Sequence, residues 1–249
     1  MFVFNPSEVH VWFRKTASLS AEVVNSAGSC LSADERARRD RYRFDADRRQ
    51  FTLAHELLRR ALSYYHDVSP ADWRFTTNEY GKPLIDMADA ELRKISFSLS
   101  HTSGRVACGI TNQAAIGVDV ERTDRSLESK VIAERYFSAE ETAWLNGCSD
   151  ETSQVRFVEL WTLKEAFLKA AGVGLSGSLD SISFSFRAPN RIDFKVSSNF
   201  DPGQWHFALF DLGSNVRLGL AAHGGDDPHF VVREDGTNSV PVVPSRFSQ

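Results

Sequence analysis

The segment RFVELWTLKEAFLKAAG, residues 156–172, limits the possible folds more than any other. At 100° per residue, Leu160, Leu163 and Phe167 form one apolar arc of a helix, and Phe157, Trp161 and Leu168 form another. A helix apolar on two sides is covered on two sides. The pattern predicts a helix over about 154–171 that stops at Gly172 and Gly174, since glycine commonly ends helices. Glu165 lies near Val158 and Trp161 on this wheel, and Lys169 follows one turn later on the same side. A carboxylate held there is costly to desolvate unless it is paired or coordinated. Two readings stand side by side: an exposed i,i+4 Glu165–Lys169 pair worth a few tenths of a kcal/mol, or a buried functional site.

Composition fits a soluble globular protein, not a disordered or low-complexity one: 249 residues, 42% hydrophobic, 25% charged, formal net charge −4. No run of about 18 uncharged apolar residues occurs, so no membrane span is expected. The start, MFVFNPSEVHVWF, lacks the basic, apolar and small-residue regions of a secretory signal. Cys30, Cys108 and Cys148 are odd in number and unlike a metal or disulfide pattern, which suits a reducing cytoplasm. The mild acidity disfavours a protein that coats nucleic acid over its whole surface, but leaves room for a local anion site.

Arginine is concentrated early, as Arg36, Arg38, Arg39, Arg41, Arg43, Arg48 and Arg49, offset only by Asp40, Asp45 and Asp47. Much of this run is expected to be helical, because Ser32 with Glu35 three residues on forms a capping-box pattern. It reads either as a solvated helix face with local ion pairs or as a phosphate-binding lip, since arginine forks match phosphate oxygens bidentately. Apolar residues from Phe51 to Tyr65 recur at helical spacing and predict a long helix over 47–66. Ile95, Phe97 and Leu99 alternate with serines, as a half-buried strand would. VACGIT (106–111) and AIGVDVE (115–121) read as a hairpin turning at Asn112-Gln113. Region 127–148 is expected to be helical, with Ser138 and Glu141 as a second capping box and Glu141 structural. Segments 182–186, 192–196, 205–212 and 216–222 suggest an antiparallel meander, and the Gly-, Asp-, Pro- and Ser-rich tail from about 225 suggests poor order. LSADE (31–35) is echoed by FSAEE (137–141), which raises the prospect of two similar α+β halves with a ligand cleft between them.

Three short motifs carry chemistry. In IGVDVE the residues Ile116, Val118 and Val120 share one strand face. Asp119 and Glu121 share the other, their Cα atoms roughly 6.5–7 Å apart. Two carboxylates projecting together repel unless a cation or proton lies between them, and magnesium suits such oxygen-rich sites; an exposed edge bearing two solvated acids is the plainer explanation. SLSHTSG (98–104) sets His101 at a strand end before a Ser-Gly turn, and EYGKP (79–83) is a turn presenting Lys82.

In this order, the motifs resemble the 4′-phosphopantetheinyl transferases of the surfactin-synthetase-activating (Sfp) type: the basic helix before DADRRQF, then NEYGKPLI, FSLSHTSG, IGVDVE and WTLKEAFLKAAGVGL, together spanning roughly 30–180. The resemblance implies an α+β monomer of two pseudo-twofold halves, about 1–112 and 113–225, with the tail 226–249 outside them. It implies magnesium (manganese being possible), coenzyme A as substrate, and transfer of the phosphopantetheine arm to a serine of an acyl or peptidyl carrier protein, releasing adenosine 3′,5′-bisphosphate in the cytoplasm. By the same resemblance the metal ligands map onto Asp119, Glu121 and Glu165. The coenzyme-binding groups map onto Arg38, Lys82, Ser100, His101, Lys164 and Lys169. Glu35 stands where the family has a second lysine, and Arg36, Arg48 or Arg49 are candidates to compensate. Glu165 is the preferred base, and Lys169 the preferred partner of the leaving pyrophosphate. A metal-dependent phosphodiesterase and a non-catalytic coenzyme-A-binding, carrier-docking module are the competing functions.

Overall fold

Two long helices, each laid on its own sheet, organise the protein. The computed structural model describes residues 7–112, 115–124, 129–173, 179–187, 191–196, 204–224, 228–235 and 246–247. The first part of the chain runs β1 (Glu8–Lys15), α1 (Ala21–Gly28), α2 (Ala33–Asp40), α3 (Asp45–Tyr65), β2 (Phe75–Thr77), β3 (Pro83–Ile85), β4 (Ser96–Thr102) and β5 (Arg105–Thr111). The second runs β6 (Ala115–Arg122), α4 (Ser129–Tyr136), α5 (Ala139–Asn146), α6 (Asp150–Ala171), β7 (Ile182–Arg187), β8 (Arg191–Val196), β9 (Trp205–Asp211), β10 (Val216–His223), β11 (His229–Glu234) and β12 (Arg246–Phe247). The class is α+β, as expected. One sheet has the order β11-β1-β5-β4, a second β6-β10-β9-β12-β8-β7, and β2-β3 form a small ribbon. No helix among the described residues is long and apolar enough to cross a membrane.

The two-sided helix is covered on two sides. On one side α6 presses so closely on β6 and β10 that only glycine fits beneath it. A Cβ on Gly117 would stand 1.7 Å from the Ala166 carbonyl oxygen, and one on Gly219 would stand 2.7 Å from that of Thr162. On the other side Phe137, between α4 and α5, stacks on Phe157 and Trp161 at centroid distances of 5.1 and 6.3 Å. The helix ends where expected: Gly172 takes the left-handed conformation (φ 71°) as its C-cap. Gly174 lies outside the described residues. Both capping boxes are present, Ser32 with Glu35 at the start of α2 and Ser138 with Glu141 at the start of α5.

Four expectations need correction. VACGIT and AIGVDVE are not a hairpin: β5 is flanked on both edges by β1 and β4, so β6 crosses to the other sheet and pairs with β10; Gln113 of the expected turn is not among the described residues. Faces of the two sheets then meet in a core built from Val9, Val11, Ala107, Ile116, Val118 and Val120. The serine face of β4 is not solvated. Ser98 and Ser100 are buried because their hydroxyls accept from the Val118 and Val120 amides at 3.0 and 3.2 Å, so β4 covers the free edge of β6. The closing meander is interrupted, with β12 between β8 and β9. Lastly, the tail is not uniformly loose: β11 pairs in parallel with β1, buries Val231 and Val232, and Asp235 beyond it pairs with the buried Arg14.

Candidate active site

Alternation along β6 turns its valines into the core and Asp119 the other way, where it meets β4 and α6. Asp119 is 5% exposed, and its Oδ1 accepts from the Ser100 hydroxyl at 2.9 Å and the Lys169 ammonium at 2.7 Å. Its other oxygen, Oδ2, is buried with no hydrogen-bond partner. A buried carboxylate oxygen left bare is costly, so this atom marks a place prepared for a further donor or cation. Lys169 also donates to Ser100 Oγ and the Val118 carbonyl, each at 3.2 Å. Glu121, two residues along the same face, accepts from the Thr102 hydroxyl at 3.0 Å.

Glu165 reaches the same place from α6. Burial holds its carboxyl above the ordinary range, and the negative charges of Asp119 and Glu121 push it the same way against Lys169. The three acids and Lys169 therefore form one electrostatic group. They are not a ready-made metal cage: among the described residues no set of three or more His, Cys, Asp and Glu side chains is assembled for a metal. In this arrangement Lys169 and Thr102 hold oxygens that a cation would compete for.

A cavity of about 250 Å³ opens beside this group, lined by Lys82, Phe97, Leu99, Glu165, Leu168 and Lys169 among others. Lys82 donates to the Ala170 carbonyl at 2.8 Å, which ties the EYGKP turn to the C-terminal end of α6. Asn78 supports the same junction by donating to the Gly172 carbonyl at 3.2 Å. Burial lowers the Lys82 pKa to about 8. His101 follows Leu99 on the same face of β4; desolvation first, then the electrostatic influence of Lys169 and His55, hold its pKa below the usual value. A second cavity of about 240 Å³ shares Pro83, Phe97 and Leu99 with the first and continues to Ser32, Arg38 and His55. The two form an elongated groove with Glu165, Lys82 and Lys169 at one end and Arg38, beside Asp34 and Glu35, at the other.

Of the residues expected here, the structure brings together Asp119, Glu121, Glu165, Lys169, Ser100, His101 and Lys82, with Arg38 on the extension. Three expected coenzyme contacts fall elsewhere. Lys164 is fully enclosed: one position before Glu165 is a 100° turn, which carries it away from the groove onto Glu141 at 2.8 Å and the Leu179 carbonyl at 2.7 Å. Arg48 and Arg49 line a different cavity, on the α1 side of α2 and α3. Glu35 is no surface vacancy. It is buried and binds His55 at 2.9 Å and Arg59 at 2.7 Å; burial raises its pKa, but His55, the Ser32 amide and Arg59 more than reverse this and bring it to about 2.

Sequence reasoning missed Thr102, His55 and the groove floor of Phe97 and Leu99. For Thr102 a signal existed. Ser98, Ser100 and Thr102 repeat at period two, a hydroxyl face suited to carboxylates on a neighbouring strand. For His55, one turn beyond Phe51 on a long helix, there was none.

An α+β protein with a groove that ends at Lys82, Lys169 and Glu165, with Asp119 and Glu121 beside it, can hold an extended, phosphate-bearing ligand. Comparison with known proteins makes that class specific. A model described as the 4′-phosphopantetheinyl transferase superfamily matches residues 115–221, and one described as 4′-phosphopantetheinyl transferase, N-terminal, matches residues 18–112. The chain is 34% identical to the 4′-phosphopantetheinyl transferase HetI of Nostoc sp., over 68% of this chain and 70% of that protein. It is 31% identical to Sfp and 33% identical to ffp, both 4′-phosphopantetheinyl transferases of Bacillus subtilis, over 84% of this chain and 90% of each relative. The chain belongs to the 4′-phosphopantetheinyl transferase superfamily.

Proposed function

We propose that this enzyme moves the 4′-phosphopantetheine arm of coenzyme A onto a serine hydroxyl of an acyl or peptidyl carrier protein, with magnesium, releasing adenosine 3′,5′-bisphosphate. The observation that carries this is the buried, unpartnered Asp119 Oδ2 beside Lys169 and Glu165, at the end of a groove that runs to Arg38. Coenzyme A carries phosphate at two places, and the groove offers cations at two: Arg38 toward one end, Lys82 and Lys169 toward the other.

That bare oxygen, with Glu121 and Asp119 both close enough to raise the pKa of Glu165, fits a hard divalent cation. Held by Asp119, Glu121 and Glu165, magnesium, or manganese in its place, would supply charge neutralisation to the diphosphate of the substrate. Lys169 is placed to offset charge on the leaving pyrophosphate end. Glu165 is our preferred base for the proton of the incoming serine. Ser100 is a positioning residue that fixes the rotamer of Asp119. The groove walls come from both proposed halves: Lys82, Phe97 and Leu99 from 1–112, and Glu165, Leu168 and Lys169 from 113–225. One chain therefore completes the site, which supports a monomer related internally by a pseudo-twofold axis. We place it in the cytoplasm, where its three free thiols would persist.

The test is product release. Adenosine 3′,5′-bisphosphate should accumulate from coenzyme A and magnesium only when an apo-carrier protein is present, in step with a mass gain on the carrier. Release without a carrier would assign the site to phosphodiester hydrolysis instead. Binding of coenzyme A with no release under either condition would leave a docking module.

A further inference from the structure

The arginine run does not end in the groove. Arg38 alone faces it, while Arg36, Arg39, Arg48 and Arg49 converge on a separate cavity of about 470 Å³ between α1, α2 and α3, lined also by Asn25 and Thr52. Four guanidinium groups around one small space repel each other unless something holds them there. Here the backbone does much of the holding. Arg36 donates to the Leu31 carbonyl, Arg49 to the carbonyls of Thr16 (2.9 Å) and Leu19, and Arg48 to that of Tyr42 (2.5 Å). Carbonyl oxygens fix the forks without cancelling their charge, so the groups are pre-ordered and still cationic. The counter-charges are Asp40 on Arg39 and Asp45 on Arg48. Asp45 lines the cavity and takes two N–H groups of Arg48, but its side chain is 93% exposed and Asp40 is exposed too, so the lining keeps four guanidinium groups against one well-solvated carboxylate. Arg39 also packs over Gly28, where a Cβ would come within 3.5 Å of its Nη1.

We propose that this cavity is a second anion site, distinct from the transfer groove, which takes a phosphate or diphosphate group either free or at the end of a nucleotide. Its volume lies in the range of small-ligand pockets, and convergent forks suit tetrahedral phosphate oxygens better than a flat acidic protein surface. α2 separates it from the groove, Arg38 facing one side and Arg36 and Arg39 the other. The two sites are therefore independently occupied.

Calorimetric titration of the full chain tests this, with inorganic pyrophosphate and adenosine 3′,5′-bisphosphate as separate probes. To silence the groove, the same titrations are run on an Arg38→Ala/Lys82→Ala variant. Saturable binding of at least one probe is expected to persist in that variant and to weaken at least tenfold on adding Arg39→Gln or Asn25→Asp, changes on two different helices. The tighter probe identifies the source, free diphosphate or nucleotide. In the otherwise native chain, Arg39→Gln and Asn25→Asp should leave KM for coenzyme A unchanged. The proposal is overturned if the groove variant binds neither probe, if neither change weakens binding, or if polyglutamate binds the cavity while both phosphates fail. None of these outcomes depends on whether the chain transfers phosphopantetheine.

Discussion

Lys169 occupies the position a competing cation would want. Its ammonium lies 2.7 Å from Asp119 Oδ1, and it also opposes the forces that raise the Glu165 pKa. Removing it should therefore have opposite effects on metal binding and on rate. Lys169→Met is expected to tighten magnesium binding, because a positive charge leaves the site. It should also lower kcat on the order of 10²–10³-fold, as losing one preorganised charge contact does. Calorimetry with magnesium and steady-state turnover check the two halves, and weaker magnesium binding would contradict the placement. Lys82 titrates within an accessible range. Its pKa of about 8 means it is cationic below that pH and neutral above it, so attraction for phosphate fades as pH rises through 8. KM for coenzyme A should rise across that interval in the native enzyme and stay flat in Lys82→Arg, whose guanidinium does not titrate there.

At the scale of elements, the decisive contact is α6 on β6. Gly117 sits beneath a helix carbonyl with no room for a methyl group, so Gly117→Ala should lift the helix and destabilise the protein by about 2–3 kcal/mol or more, read from the urea midpoint. An unchanged midpoint would mean the approach is looser than described. The elements most legible in the sequence were those with a strong periodic face or a cap: α3, α6 and both capping boxes. What stayed hidden was non-local. Whether β5 and β6 pair depends on which edges β1 and β4 already occupy, and nothing in VACGIT or AIGVDVE encodes that. The burial of Ser98 and Ser100 depends equally on β6 arriving beside them. Lys164 and Glu165 are neighbours in sequence, yet one faces the core and the other the groove. A shared KE motif could not separate them; helix phase relative to the sheet does. One regularity does recur. Each capping-box glutamate is buried on a cation from the following long helix, Glu35 on Arg59 and Glu141 on Lys164.

For the whole molecule, the surprising part is how the end of the chain returns to its beginning. β11 lies parallel to β1, buries Val231 and Val232, and places Asp235 on Arg14, which also binds Glu56 at 2.7 Å. Composition read this region as loose because glycine, aspartate and proline surround it, and the short FVV core was diluted by its flanks. Deleting residues 225–249 strips one edge of the first sheet, takes β12 from between β8 and β9 of the second, and removes a partner from a buried arginine. It should cost more than about 3 kcal/mol of stability, measured by urea unfolding, even though every proposed groove residue is retained. Full stability in the truncated chain would show that β11 and β12 are both dispensable.

The account stands on three carboxylates acting as one centre, and turnover of Asp119→Asn at saturating magnesium tests it most directly. This change keeps the side-chain shape and removes one negative charge where the bare Oδ2 lies. With carrier mass as the readout, kcat should fall on the order of 10²–10³-fold while the fold is retained. Near-native modification of the carrier by that variant would contradict the assignment of this site.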